Sequence, residues 1–194
     1  YSDYDCDGIP GGVLLRTFFD DIGYKKVVMY IPHRHNEGYG LHNHAIDALK
    51  KQGVSLMITV DLAITNIDEI AYAKKKKIDV IVTDHHLPIH KEGDGQIVPD
   101  AYAVINSKQD VCKYHDDMLC GCAVAWKLSC ALLSILREES KEKQGVRKNI
   151  EYKKVLEIVG KLKDGYEKWL LDLVGISTIS DMVPLVKENR ALAH

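Results

Sequence analysis

Residues 78–86 read IDVIVTDHH, a run rich in β-branched side chains that ends in one aspartate and two histidines. A run of this composition predicts a buried strand over residues 78–83, as in parallel sheets that are covered on both faces. Residues 54–60, VSLMITV, form a second apolar run and are followed at once by Asp61. The sequence therefore predicts two buried strands whose carboxyl ends carry acidic or imidazole groups.

Working outward from these two strands, helical and strand patterns alternate through the first hundred residues. Strands are predicted at 26–31, 54–60, 78–83 and 101–106, and helices at 13–22, 44–53, 66–77 and 118–136. This alternation predicts an α/β fold with a parallel β-sheet and helices on both faces, followed by a mainly helical C-terminal portion.

The composition sets broad limits on function. The chain has 194 residues, of which 46% are hydrophobic, and its net charge is -2 from 26 basic and 28 acidic residues. No apolar run approaches the ~20 residues of a membrane span, and no signal peptide opens the chain. The five cysteines are odd in number and irregularly spaced, which argues against a disulfide framework and favours a reducing cytoplasm.

Residues 2–8, SDYDCDG, add three aspartates at alternate positions. In parallel α/β sheets ligands bind beyond the carboxyl ends of the strands, which is where this cluster, Asp61 and the DHH triplet are all expected. Residues two apart in an extended segment face the same side, so Asp5 and Asp7 can converge on one centre.

Several carboxylates in one cleft would repel one another without a cation. Aspartate oxygens combined with imidazole nitrogen suit Mn²⁺ or Mg²⁺. His85 and His86 are adjacent and should point in different directions, so we expect one to bind metal and the other to face substrate.

Six segments, in order along the chain, resemble motifs of the DHH phosphoesterase superfamily and its RecJ branch. DYDCDG resembles DYDxDG, TVDLAIT resembles TVDxGIS, VTDHHLP carries the triplet that names the family, and STISDMVPLVKENR resembles TIADxxPLxxENR. IPHRHNEGYGL resembles the RxxEGYGL stretch of the RecJ branch, and LCGCAVAWKL resembles its AGxGVAFKL stretch. The resemblance covers nearly the whole chain.

The resemblance implies a 5'-to-3' exonuclease specific for single-stranded DNA, in which two Mn²⁺ or Mg²⁺ ions activate a water. The implied metal ligands are Asp5, Asp7, Asp61, His85 and Asp181. Asp61 is expected to bridge the two ions and His86 to contact the scissile phosphate, which makes both of them catalytic. His86, Arg34 and Tyr39 are the expected substrate-binding residues, with Arg34 as a phosphate fork and Tyr39 against a base or sugar.

The same resemblance organises the chain into parts. We expect a DHH-type α/β phosphoesterase core at 1–136, a charged connector or helical insertion at 137–154, and a helical segment at 155–194 that carries the fourth motif. A second, substrate-binding domain is expected beyond residue 194, so that the chain would be a fragment. The expected partners are single-stranded DNA and a single-strand-binding protein or helicase, in the cytoplasm and without a membrane.

The chain departs from the family at two motifs, and two alternative functions stay open. Residues 61–63 read DLA where the family usually reads DNG, and Ile9 and Pro10 follow the first DG. The alternatives are another DHH phosphoesterase, which would cleave short RNA or a cyclic dinucleotide, and a catalytically weakened DHH scaffold. The EGYGL and ENR stretches argue against the first, and the retained ligands argue against the second.

Overall fold

The computed structural model describes residues 1–93, 95–141 and 149–194. Its helices and strands follow in the order α1 (Gly8–Asp21), α2 (Asn43–Lys51), β1 (Leu56–Val60), α3 (Ile67–Lys75), β2 (Asp79–Thr83), β3 (Ile89–Lys91), β4 (Gly95–Ile97), β5 (Ala103–Ile105), α4 (Gly121–Lys141), α5 (Ile150–Val159), a 3₁₀ helix (Tyr166–Leu170), α6 (Leu171–Ser180) and α7 (Lys187–Leu192). Two helices open the chain, helices and strands alternate from α2 to β2, and helices follow one another from α4 onward.

The central sheet is parallel and has the order β1-β2-β5. Its register pairs Val60 with Thr83, and Thr83 with Ile105, so β1, β2 and β5 end level with one another. Asp61 and Asp84, the next residues after β1 and β2, therefore lie side by side at one edge. The predicted parallel sheet is confirmed.

Helices cover the sheet on both faces. Met57 and Val80 pack with α2 and α3 on one face, whereas Val60 packs with Leu15 of α1 and Ala125 of α4 on the other. Full burial of an aliphatic side chain of this size contributes about 2 kcal/mol. The period-two alternation of the strands thus supplies an apolar surface for each helical layer.

Helix α1 begins five residues earlier than the predicted helix at 13–22. The side chain of Asp5 accepts hydrogen bonds from the backbone N–H groups of Asp7 (3.0 Å) and Gly8 (2.8 Å), which satisfies donors at the helix start. Pro10 is tolerated because it lies in the first turn, where its missing N–H would have no intrahelical partner.

The prediction of a strand at 26–31 is wrong. Tyr30 accepts one hydrogen bond, from the Ser2 N–H at 3.1 Å, and Ser2 forms a single bridge with Val60 of β1. A groove of about 730 Å³, lined by Val28, Leu56 and other apolar residues, separates the remainder of the segment from β1. Among the described residues, no strand pairs with residues 26–31, and the hydrogen bond at Tyr30 is their one backbone link to the bridge beside β1.

The C-terminal part is helical, as predicted. Helix α4 continues to Lys141, five residues into the predicted connector at 137–154, and α5 starts at Ile150 after an Asn149 cap. Residues 142–148 of that connector lie outside the described residues, and the division of the chain into domains stays a prediction. Within the described ranges, no helix is long and apolar enough to cross a bilayer.

Candidate metal centre

Four parts of the chain meet at the carboxyl edge of the sheet. The loop before α1 is held against β1 by the Asp3 N–H, which donates to the Val60 carbonyl at 3.1 Å. Asp61 follows β1, the DHH triplet follows β2, and Asp181 directly follows the last residue of α6. Three groups of side chains each bring their ligand atoms within 4.8 Å of one another: Asp3, Asp5 and Asp61; Asp7, His85 and Asp181; Asp61, His85 and His86.

His85 lies at the middle of the cluster. Its Nε2 is 3.2 Å from Asp61 Oδ1 and 3.8 Å from both Asp7 Oδ2 and Asp181 Oδ2. Burial lowers the pKa of His85 to about 4, so the imidazole is neutral at pH 7 and can offer a nitrogen lone pair. All five sequence-predicted ligands belong to the groups that this cluster forms.

Asp7 is fully buried at the N-terminus of α4. Its two oxygens accept hydrogen bonds from the backbone N–H groups of Gly121 (2.6 Å) and Cys122 (2.8 Å). A side chain at Gly121 would place its Cβ 2.6 Å from Asp61 Oδ1, so only glycine fits between α4 and Asp61. The CGC stretch is thus a close-packing element, and both of its cysteines are buried.

Asp61 carries the clearest sign of a missing partner. The residue is 1% exposed, yet its Oδ1 has no hydrogen-bond donor among the described residues. Burial, together with the charges of Asp7 and Asp5, raises the pKa of the Asp61 carboxyl. An unsatisfied buried carboxylate is costly, and a divalent cation bound by oxygen and imidazole ligands would remove that cost.

Asp84, the first residue of the DHH triplet, has a different task. Its Oδ1 accepts from the backbone N–H groups of His85 (2.7 Å) and His86 (3.1 Å), and its Oδ2 accepts from Ile64 N–H at 2.9 Å. These bonds fix the turn that carries both histidines.

His86 differs from His85 in exposure and contacts. Its side chain is 45% exposed, and its Nδ1 is 2.8 Å from Asp84 Oδ1. That hydrogen bond raises the pKa of His86. With Nδ1 facing Asp84, the other ring nitrogen is left to contact a ligand.

The loop that contains Arg34 and Tyr39 borders the cluster. The Tyr39 hydroxyl lies 3.4 Å from both the Asp61 carbonyl oxygen and His86 Nδ1, and about half of the residue is exposed. The Arg34 guanidinium lies 4.5 Å above the ring of Tyr4. The structure therefore brings both residues to the border of the cluster.

Asp3 was not among the ligands taken from the sequence, although it belongs to the group formed with Asp5 and Asp61. It is 1% exposed, and its Oδ1 has no hydrogen-bond partner among the described residues. The sequence pattern could have identified Asp3, because Asp3, Asp5 and Asp7 are successive members of one two-residue period.

Comparison with known proteins places the chain in a family. The family model described as "DHH family, N-terminal domain" matches residues 1–158. The chain is 36% identical over 193 residues to the single-stranded-DNA-specific exonuclease RecJ of Bacillus subtilis, covering 100% of this chain and 20% of that protein. It is 33% identical over 191 residues to the enzyme of the same name from Escherichia coli, covering 98% of this chain and 30% of that protein.

Two solved structures are similar to this one. A crystal structure of exonuclease RecJ bound to manganese superposes with a TM-score of 0.69 at 29% identity, covering 98% of this chain and 40% of the other. RecJ from Thermus thermophilus in complex with Mn²⁺ gives a TM-score of 0.63 at 26% identity, covering 98% and 22%. The chain thus spans less than half the length of each of these relatives.

Proposed function

Since this chain belongs to the DHH family, we propose that it is the catalytic part of a metal-dependent exonuclease that degrades single-stranded DNA from the 5' end. The observation that carries the proposal is the convergence of three carboxylates on His85 Nε2, beside the buried and unsatisfied Asp61 Oδ1. Similarity along the whole chain to exonucleases named as specific for single-stranded DNA supports the choice of substrate.

The donor set suits Mn²⁺ or Mg²⁺. We assign Asp5, Asp7, Asp61, His85 and Asp181 as ligands of two ions, with Asp61 shared between them. Both solved RecJ structures are described with manganese, which supports this choice of metal. Such ions, when bound, supply a nucleophilic water of lowered pKa and offset charge on the leaving oxygen.

The protein's own groups orient the reaction. Neutral His85 presents a ring nitrogen to the carboxylates, while Asp84 holds the turn on which both histidines sit. We assign His86 to the scissile phosphate, because Asp84 occupies its Nδ1 and favours its charged form, which donates a hydrogen bond from Nε2.

Arg34 and Tyr39 are our candidates for holding the DNA end. The guanidinium of Arg34 lies 4.5 Å from the centre of the Tyr4 ring, and its N–H groups can donate to a phosphate. The exposed part of the Tyr39 ring can stack on a base, which a duplex would hide. A cytoplasmic location fits the five free thiols, and a single-strand-binding protein or helicase partner stays a prediction.

Digestion of end-labelled oligonucleotides by the full-length protein with Mn²⁺ tests the proposal. We expect products from the 5' end of single strands and resistance of blunt duplexes. Arg34→Ala should reduce the preference for a 5'-phosphate, whereas Arg16→Ala, which removes a surface pair with Asp20, should not. Equal attack from both ends, or a preference for cyclic dinucleotides, would assign the chain to another DHH activity.

A further inference from the structure

Residues 106–108 follow β5 at the carboxyl edge of the sheet, beside the turn that carries the DHH triplet. The backbone N–H of Asp84 donates to the Ile105 carbonyl at 3.1 Å, which continues the pairing of β2 with β5. Asn106 is 3% exposed, and its Nδ2 donates to the His86 carbonyl at 2.8 Å. The segment after β5 is therefore fastened directly to the two histidines.

The backbone of Lys108 is held in place by neighbouring side chains. Its N–H donates to Asn106 Oδ1 at 2.8 Å, and its carbonyl accepts from Gln96 Nε2 at 2.9 Å. Gln109 Nε2 closes the same turn by donating to the Asn106 carbonyl at 3.0 Å. Asn106 thus links Lys108 to His86 and fixes the distance between their main chains.

The ammonium group of Lys108 has no ion-pair partner among the described residues, although the residue is half-buried. Its charge still acts on the metal cluster. Burial raises the pKa of Asp181, and the charge of Lys108 opposes that rise. Burial lowers the pKa of His85, and the same charge lowers it further. Other lysines of the described chain do form ion pairs, namely Lys26, Lys74, Lys76 and Lys127.

Lys108 and Arg34 lie on opposite sides of the cluster. The sheet order β1-β2-β5 places the end of β5 two strand spacings, about 10 Å, from the end of β1. The segment that leads to Arg34 lies beyond the free side of β1, because Tyr30 accepts from Ser2 and Ser2 bridges to Val60. The carboxylates after β1 and β2 therefore lie between two cationic side chains.

A nucleic acid strand needs cations on both sides of such an acidic centre, because its phosphates are repelled by carboxylates. Arg34 is our candidate for the phosphate at the 5' end. A strand held there and cut at the metal centre continues across the sheet edge towards β5. A lysine ammonium without a partner suits a single phosphate there as a point charge.

We propose that Lys108 binds the phosphate on the 3' side of the scissile one, so that the substrate strand runs along the sheet edge from Arg34, past the metal centre, to Lys108. This inference rests on the proposed function. It adds a substrate contact outside the six motifs and gives the direction of the strand across the sheet.

Kinetics of the full-length protein with Mn²⁺ and a 5'-phosphorylated single strand give the first test. In Lys108→Ala, KM should rise about tenfold because a charged hydrogen bond is lost, while kcat changes less than about twofold. The slope of log KM against log salt should fall by about 0.7, the value for one phosphate contact on a single strand. Lys108→Arg keeps the charge and should recover most of the wild-type KM.

Lys75→Ala is the matched control. Lys75 is exposed at the end of α3, just before β2 begins, so it lies at the opposite edge of the sheet. The control loses the same charge and should keep the wild-type KM and salt slope. Mn²⁺ affinity, measured by calorimetry, should be unchanged in both variants. An unchanged KM in Lys108→Ala, or the same change in the control, would overturn the inference.

A neutral methylphosphonate at one linkage gives the second test. The probe is a 5'-phosphorylated strand whose second linkage is a methylphosphonate and whose first linkage is ordinary, and release of the 5'-labelled mononucleotide is measured. Wild type and Lys75→Ala should both lose about tenfold in kcat/KM on this strand. Lys108→Ala should lose little, because the contact is already absent. An equal loss in Lys108→Ala and wild type would show that Lys108 does not bind this phosphate.

These outcomes separate the inference from the proposed function. Degradation from the 5' end by a wild type and a Lys108→Ala variant that are equally sensitive to the methylphosphonate would remove Lys108 from the substrate path and leave the nuclease. Attack from the 3' end, with a methylphosphonate effect that is still lost in Lys108→Ala, would keep the phosphate contact and overturn the polarity.

Discussion

Ala63 occupies a backbone conformation that suits glycine. Its φ is +92°, in a region that L-residues rarely adopt, and it stands where the related motif TVDxGIS has glycine. Asp61, two residues earlier, has φ +64°, which aspartate tolerates better than most residues. The turn that carries Asp61 is therefore strained at Ala63, where the sequence departs from the glycine of the family motif.

Ala63→Gly should stabilise the protein by about 1 kcal/mol, because relief of strain exceeds the added entropy of the unfolded chain. Urea denaturation would measure this difference. Ala71→Gly, at an exposed position inside α3, is the matched control and should cost about 1 kcal/mol. A loss of stability in Ala63→Gly as large as in the control would show that the turn is not strained.

Substitutions of the two histidines should have different effects on metal binding and on turnover. His86→Ala should keep both ions bound but lower kcat by about 100-fold, the size of effect seen when one donor to a developing charge is removed. His85→Ala should lose one ion, because His85 Nε2 lies among three carboxylates. Mn²⁺ calorimetry and turnover of single-stranded DNA measure the two effects, with His90→Ala as an exposed control. Loss of an ion in His86→Ala would mean that the two roles are reversed.

The charge on Asp61 should make the metal-free protein sensitive to pH. Burial raises the folded-state pKa of Asp61 above its unfolded value, so its contribution to stability is fully present at low pH. That contribution is lost as the pH rises above about 4, at up to about 1.4 kcal/mol per pH unit, towards the raised pKa. Asp61→Asn cannot ionise and should avoid this loss.

Urea denaturation in EDTA at pH 5 and pH 7 would measure the difference between Asp61→Asn and wild type. The variant should gain at least about 1 kcal/mol relative to wild type between the two values. Saturating Mn²⁺ should reverse the order, because the ion binds the folded wild type. A difference that does not change with pH would contradict a buried, uncompensated Asp61.

At the scale of elements, two helix N-termini hold two of the proposed ligands. Asp5 accepts N–H groups at the start of α1, and Asp7 accepts N–H groups at the start of α4. Free backbone donors and the positive end of the helix dipole both favour a carboxylate at such a position. These N–H groups and helix dipoles offset part of the electrostatic repulsion among the carboxylates at residues 3–7.

Gly121→Ala should disturb the centre without unfolding α4. Alanine favours a helix, but its Cβ would lie 2.6 Å from Asp61 Oδ1 and would displace that carboxylate. We expect Mn²⁺ affinity to fall at least tenfold while the helical circular dichroism signal is kept. Gly160→Ala, whose Cβ would lie 3.3 Å from its nearest neighbour and outside the cluster, should change neither. Unchanged affinity in Gly121→Ala would show that α4 does not position Asp61.

Over the whole molecule, the features that could be predicted from the sequence are those that depend on the local pattern of apolar and polar residues. Apolar runs that end in Asp61 and in the DHH triplet identified β1, β2 and the edge where they meet. The early start of α1 was missed because it depends on the Asp5 side chain, and Pro10 was taken as a departure from the family. The prediction of a strand at 26–31 was wrong because a strand forms only beside another strand to which it can hydrogen-bond. The apolar pattern of a segment does not reveal whether such a strand is present.

Features that depend on packing between distant segments also could not be predicted from the sequence. The short antiparallel pair β3 and β4 has no strong alternation, and residue 94 between them lies outside the described residues. The contact of Gly121 with Asp61 spans sixty positions, and the unsatisfied oxygen of Asp3 becomes visible only when its surroundings are known.

We propose that Asp61 joins two ions that drive phosphodiester cleavage, and the decisive variant is Asp61→Ala in the full-length protein. Mn²⁺ titration and digestion of 5'-labelled single-stranded DNA should be measured on the same preparations of variant and wild type. We expect the variant to lose tight binding of both ions and all metal-dependent cleavage while it stays folded. A variant that binds two Mn²⁺ ions and cuts at the wild-type rate would show that Asp61 does not hold the ions.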